Sequence, residues 1–347
     1  MAFLGASIQY ASCLLGVKYR EKAANGDYSG GPMYYLSNGL GLKSLAALFA
    51  GFTLFGAVTV GNFAQINSVV LPLEQAGLNP LLCALGLAIL VGIVIVGGIN
   101  RVARLASFIV PLKALLYLGT AWFILGTHAS QLLPAFKLMF QAAFSIDSTI
   151  GGIAGFTLSK ALTTGFERGI FATDAGTGIV PILQSSTRAS DSVENGIATL
   201  VAPFLVMVVC TTTGLVLLVT GAWQESGLQS TNMVTFAFQK GVGGAWGAYI
   251  VIGALLLFAY TTILAWACCG EKALSYLAGS RSVLYFKIFY ILLIPLGAWI
   301  DVKMIWLLAD IAISLMLLTN IVGIAGLAHE VIRESRRYFC QKVEMLK

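Results

Sequence analysis

The sequence predicts an all-α membrane protein that crosses the bilayer many times, and three observations predict it. Hydrophobic residues make up 58% of the 347 and charged residues only 10%, with a mean hydropathy of +0.87; a soluble domain carries about 25% charge. The apolar residues form continuous blocks of spanning length rather than alternating ones, which excludes a β-barrel. The basic residues are sorted onto one side of those blocks. Together these observations exclude a cytosolic enzyme, a secreted disulfide scaffold and a disordered tail.

A spanning helix needs about 20 mostly apolar residues. Residues 2–17 are apolar but short, and they open at Met1 without the basic start of a signal peptide. The reading is a chain that begins inside a spanning helix, either as a fragment or after loss of its N-terminal end. Eight full spans follow, at about 44–72, 80–98, 104–126, 138–166, 196–220, 242–268, 283–300 and 304–327. Residues 328–347 form a tail.

The connecting loops test this order. Segments 18–43, 99–104, 166–195, 269–283 and the tail carry fifteen Lys and Arg residues. The alternate loops, 73–79, 127–137, 221–241 and 301–303, carry three. Basic loops stay inside, so the tail with Arg333, Arg336 and Arg337 is expected in the cytoplasm of a bacterial inner membrane. The net charge of +6 is therefore topological and does not point to nucleic acid. The six cysteines lack zinc spacing and read as small buried side chains.

Four places inside the spans carry chemistry. The span 138–166 has Gly151, Gly152 and Gly155 at its centre, after Ser145, Asp147, Ser148 and Thr149. Glycines cost helix propensity, and an interrupted helix at membrane depth exposes backbone groups that bind ions and carboxylates; close packing through small residues is the alternative. The span 242–268 has Thr261 and Thr262, adjacent hydroxyls able to ligate a hard cation such as sodium or to bond back to their own helix. The run from Gly61 to Ser68 holds Asn62, Gln65 and Asn67, which either face a pore or bond neighbouring helices. Lys113 and Asp147 are charges within spans, and such charges are functional candidates; an ion pair between them is the structural alternative.

An enzyme is not expected. His128 lies in an outer loop and His329 in the tail, so neither reaches the core, and no HExxH or GxSxG motif is present.

At this point the run Val17-Lys18-Tyr19-Arg20-Glu21, followed by Gly30-Gly31-Pro32-Met33-Tyr34-Tyr35, resembles the alanine/glycine:cation symporter family. The stretches GNFAQIN at 61–67, Ala143-Phe144 with Gly151-Gly152, Arg168 to Phe171 with Asp174-Ala175-Gly176, CTTT at 210–213, LFAYTTILAW at 257–266 and WLLAD at 306–310 resemble it in the same order. The resemblance covers essentially the whole chain. It implies a LeuT-like fold of two inverted five-helix repeats, here lacking the first core helix. The implied activity is uptake of a small neutral amino acid, alanine or glycine, coupled to sodium or sometimes to protons, with no resident cofactor. Gly151, Gly152, Gly155, Phe156, Gln65 and Trp266 would then contact substrate, and Thr261 and Thr262 would ligate sodium. A remnant with an incomplete cation site is the competing expectation.

Several positions depart from the family pattern. Ser12 replaces an acidic residue, Asp174 stands in the altered stretch Ala172–Gly176, and Leu205-Val206 replaces an Asp-Thr pair. Lys113 replaces an uncharged residue and Asp147 a glutamine. An ammonium can substitute for sodium's charge, and a lysine that releases its proton would couple transport to protons. Arg168 and Asp174 are read as a cytoplasmic gate or as part of a solvated loop.

Overall fold

The computed structural model describes residues 2–22, 28–144, 153–187, 191–228 and 230–345. Fourteen helices account for most of them. They are α1 (Ala2–Lys18), the short α2 (Pro32–Tyr34), α3 (Lys43–Gln75), α4 (Pro80–Ile95), α5 (Ile99–Thr127), α6 (Ala129–Phe144) and α7 (Ile153–Thr173). Then follow α8 (Ile179–Gln184), α9 (Ser192–Thr220), α10 (Thr231–Val242), α11 (Ala245–Ala278), α12 (Ser280–Ala298), α13 (Val302–Gly326) and α14 (Ala328–Met345). A two-residue antiparallel ladder, Glu21–Lys22 against Tyr28–Ser29, joins α1 to α2.

Among the described residues six helices are long and apolar enough to cross a membrane: α3, α5, α9, α11, α12 and α13. Helix α4 covers the predicted span 80–98 with 16 residues. The predicted span 138–166 differs more. Two helices cover it, α6 and α7, and the intervening Ser145–Gly152 lies outside the described residues, with Asp147, Gly151 and Gly152 in it. Gly155 and Phe156 fall in the first turn of α7, where only the backbone is described.

The helix ends follow from local chemistry. Asn79 precedes Pro80 and accepts from the amides of Leu81 and Leu82 at 2.9 and 3.3 Å, satisfying donors a first turn leaves orphaned. Asp191 does the same for Val193 and Glu194, and Asp301 for Lys303 and Met304. Gly221 and Gly243 close α9 and α10 in the left-handed region, at φ 68° and 77°, where a residue without Cβ is unstrained.

Helix α11 is the hub. It packs on α3, α5 and α10, and more lightly on α4 and α12, while α13 closes the far side of α3. The α3–α11 seam is close because α3 is glycine-bearing there. Trp266 lies buried over Gly56 and Gly61, and a Cβ on Gly61 would meet the Trp266 Cβ at 2.2 Å. Outward-turned Leu82, Phe108, Leu115, Leu205 and Leu292 give the bundle an apolar exterior suited to lipid. Cys13, Cys268 and Cys269 are buried as expected, whereas Cys83 is half-buried and Cys210 and Cys340 are exposed.

The Gly30-Gly31-Pro32 turn is tightly enclosed. A Cβ on Gly30 would stand 2.3 Å from the carbonyl oxygen of Gly16, and Gly31 sits at φ 108° against Ile182. Pro32 then opens α2, and Met33, Tyr34, Tyr35 and Leu36 are buried behind it. The motif thus fastens α1, α2 and α8 together.

At the same end Lys18 Nζ donates to Glu330 and Glu334, both at 2.9 Å, and the Tyr19 hydroxyl donates to Glu330 at 2.7 Å. These bonds dock α14 on α1. The Lys18 ammonium holds the Glu330 carboxyl below the usual carboxylate range. Its contribution is therefore present above about pH 4.3, the ordinary glutamate value, and is lost as pH falls through the lowered one. Lys18→Ala is expected to raise amide exchange across 328–345 and leave the α3–α11 seam unchanged, which hydrogen–deuterium exchange measures directly.

Candidate cation and substrate site

Lys113 lies at the middle of its helix, fourteen residues from Ile99 and fourteen from Thr127. At 1.5 Å per residue that is about 21 Å from either end. Thr261 lies equally deep in α11, sixteen residues from Ala245 and seventeen from Ala278. The sequence marks each residue separately; the fold brings them together. The Lys113 ammonium donates to Thr261 Oγ1 and stands 4.3 Å from the centre of the Phe258 ring. Both Lys113 and Thr261 are buried. A tyrosine one turn further along α5, Tyr117, shares a 2.8 Å bond with the Thr213 hydroxyl of α9 and packs on Phe238 and Phe258.

Thr261 donates its own proton to the carbonyl oxygens of Leu257 and Phe258, at 3.0 and 3.1 Å. Thr262 donates to Phe258 O at 2.9 Å. Back-bonding of this kind, one of the two alternatives left open by the sequence, is therefore present. It spends the hydroxyl protons and leaves the oxygen lone pairs free to accept. On Thr261 the lysine takes them up. Among the described residues no carboxylate lies within ion-pair distance of Lys113, and Asp147, its expected partner, lies outside them.

The amide cluster of α3 has divided duties. Residues Thr59–Phe63 form a π-helical turn, an irregularity the sequence does not announce. Gln65 Nε2 reaches back to Val60 O at 3.2 Å and partly satisfies the widened turn. Asn62 and Asn67 bond other parts of the chain, donating to Tyr290 O at 2.9 Å and Ile300 O at 3.2 Å. Trp266 is 3% exposed and fills the glycine notch of α3. Gln65 thus bonds within its own helix, and Trp266 packs against α3.

A second buried polar centre was not singled out by the sequence reading. Asn320 of α13 accepts from the Tyr35 hydroxyl and donates to Ser12 Oγ at 3.2 Å and to Gly176 O at 2.7 Å. Its hydrogen-bonding capacity is thereby largely used. Gln9 lies one turn from Ser12 on α1 and donates to Thr199 O at 3.0 Å. The available signal was a lone asparagine in the apolar run 304–327.

Arg168 pairs with Asp310 at 2.6 Å and stacks over Trp306 at 4.7 Å. This ion pair is an α7–α13 contact; Asp174, read with Arg168 from the sequence as a gate or part of a solvated loop, is not its partner among the described residues. Beside it lies a cavity of about 460 Å³ lined by Leu162, Phe166, Glu167, Asp310 and Ile313.

The described residues contain no group of three His, Cys, Asp or Glu able to hold a metal ion. A bundle of long apolar helices with a few polar groups at mid-depth defines a multi-pass membrane protein. The chain belongs to the sodium:alanine symporter family, whose model matches residues 1–347. That family is one of transporters, not enzymes. The chain is 39% identical over 345 residues to an uncharacterised transporter of Haemophilus influenzae, covering 98% of this chain and 75% of the relative. It is 33% identical to the sodium/alanine symporter AgcS of Methanococcus maripaludis, covering 97% of this chain and 75% of that one. It is 31% identical to the probable sodium/glutamine symporter GlnT of Bacillus subtilis, covering 99% and 71%.

Proposed function

We propose that this chain carries a small neutral amino acid, alanine or glycine, across the plasma membrane by alternating access, on a LeuT-like arrangement of inverted repeats. The observation that carries this reading is the family match along all 347 residues, with an alanine symporter among the relatives. The substrate carboxylate meets the backbone amides around Gly151, Gly152 and Gly155 at the start of α7, where the helix dipole favours an anion. Phe156 contacts the substrate's apolar side. Gln65 and Trp266 hold the wall of that site through the α3–α11 seam. A monovalent cation at the level of Thr261 and Thr262 favours the substrate-receptive form; the family relationship points to sodium or, in some members, protons. Asp147, just before the glycines, shares in this coupling. Segments 18–43, 99–104 and 269–283 and the tail 328–347 face the cytoplasm.

Expression in cells lacking their own alanine uptake tests the reading. Labelled alanine is expected to accumulate above the empty-vector level, with excess glycine competing and excess lysine not. Uptake at the vector level, or uptake of glutamine alone, contradicts the assignment to small neutral amino acids.

A further inference from the structure

We infer that the cation at Thr261 is built into the chain: the Lys113 ammonium fills the place where a co-transported sodium ion would otherwise bind, so transport does not require sodium there. The inference rests on the carrier reading above and says what occupies its cation position.

The geometry is specific. The lone pairs that Thr261 presents are those a sodium ion would use, because its proton is committed to Leu257 O and Phe258 O. The ammonium already bonds that oxygen and covers the Phe258 ring. Lys113 does not reach past either end of its helix. A lysine stem reaches only a few ångströms, against about 21 Å of helix on either side.

Among the described residues no structural ion pair consumes the charge of Lys113 either. Among the described residues its polar contact is the neutral Thr261 hydroxyl, and its other close group is an aromatic face, which attracts cations without neutralising them. The facing side chains on the adjacent α9, Thr213 with its Tyr117 partner from α5, are uncharged hydroxyls. A second cation placed beside this one would meet direct like-charge repulsion at mid-membrane, where screening is weakest. A free monovalent cation and the lysine therefore exclude one another at Thr261.

The test compares uptake of labelled alanine by the purified protein in liposomes, in sodium chloride and in choline chloride. Wild type is expected to run at rates within about twofold in the two salts, whereas Lys113→Ala, which vacates the position, is expected to gain about tenfold stimulation by sodium. Lys113→Arg, which keeps a cation, is expected to stay sodium-independent. Wild-type uptake that collapses in choline overturns the tethered cation and leaves the carrier reading standing. So does a Lys113→Ala variant that transports equally in both salts. Absence of uptake in every salt overturns both. If Lys113→Ala does not insert, the wild-type comparison decides alone.

Discussion

Gly61→Ala is expected to lower the thermal midpoint of the detergent-purified protein more than any other Gly→Ala change in α3. A methyl at Gly61 meets the Trp266 Cβ at 2.2 Å and its Cγ at 2.5 Å. These atoms belong to the root of the side chain, so a rotamer change does not move them away. The seam must open instead, and overpacking of this kind costs about 1–3 kcal/mol or more. The change also falls inside the π turn Thr59–Phe63, so the strain reaches the Gln65–Val60 and Asn62–Tyr290 bonds on either side. Gly86→Ala is the control. It sits in α4 with nothing within 4 Å of the added carbon and gains about 1 kcal/mol of helix propensity. Equal midpoints for Gly61→Ala and wild type would contradict this view of the seam.

Asn320→Leu is expected to have an effect of similar size for a different reason. The amide bonds Tyr35, Ser12 and Gly176 O, from α2's motif, α1 and the turn after α7. An isobutyl group leaves the Gly176 carbonyl buried without this partner and leaves the Tyr35 hydroxyl only its bond with Ser12. An orphaned buried group costs about 1–3 kcal/mol. Tyr35→Phe removes one of the two, so the double variant is expected to lose less than the sum of the single changes. Additive losses in thermal midpoints would show that Tyr35 and Asn320 do not act as a pair.

Much of the helical architecture was legible in composition and block length, because backbone groups in lipid must be bonded within their own segment. Helices α3, α5, α9 and α13 begin and end within about five residues of the blocks read from sequence, whereas α11 runs ten residues past the end of its block. Lys113 and Thr261 were legible as separate oddities, a charge and a hydroxyl pair in apolar runs. Their contact was not, since 148 positions separate them and only the α5–α11 crossing brings them together. The π turn escaped for a local reason: Gly61 and Asn62 have poor helix propensity, but propensity does not distinguish a widened turn from a break. The Asn320 centre escaped because its members come from four distant segments. The expected break around Gly151 and Gly152 lies outside the described residues.

Alanine counterflow tests the carrier function most directly. Liposomes containing the purified protein are loaded with unlabelled alanine and diluted into trace labelled alanine, with identical salts on both sides. A carrier with an alternating site exchanges one for the other, so labelled alanine is expected to rise transiently inside above its equilibrium level. A trace that never exceeds that of protein-free liposomes would contradict the claim that this bundle moves a small neutral amino acid.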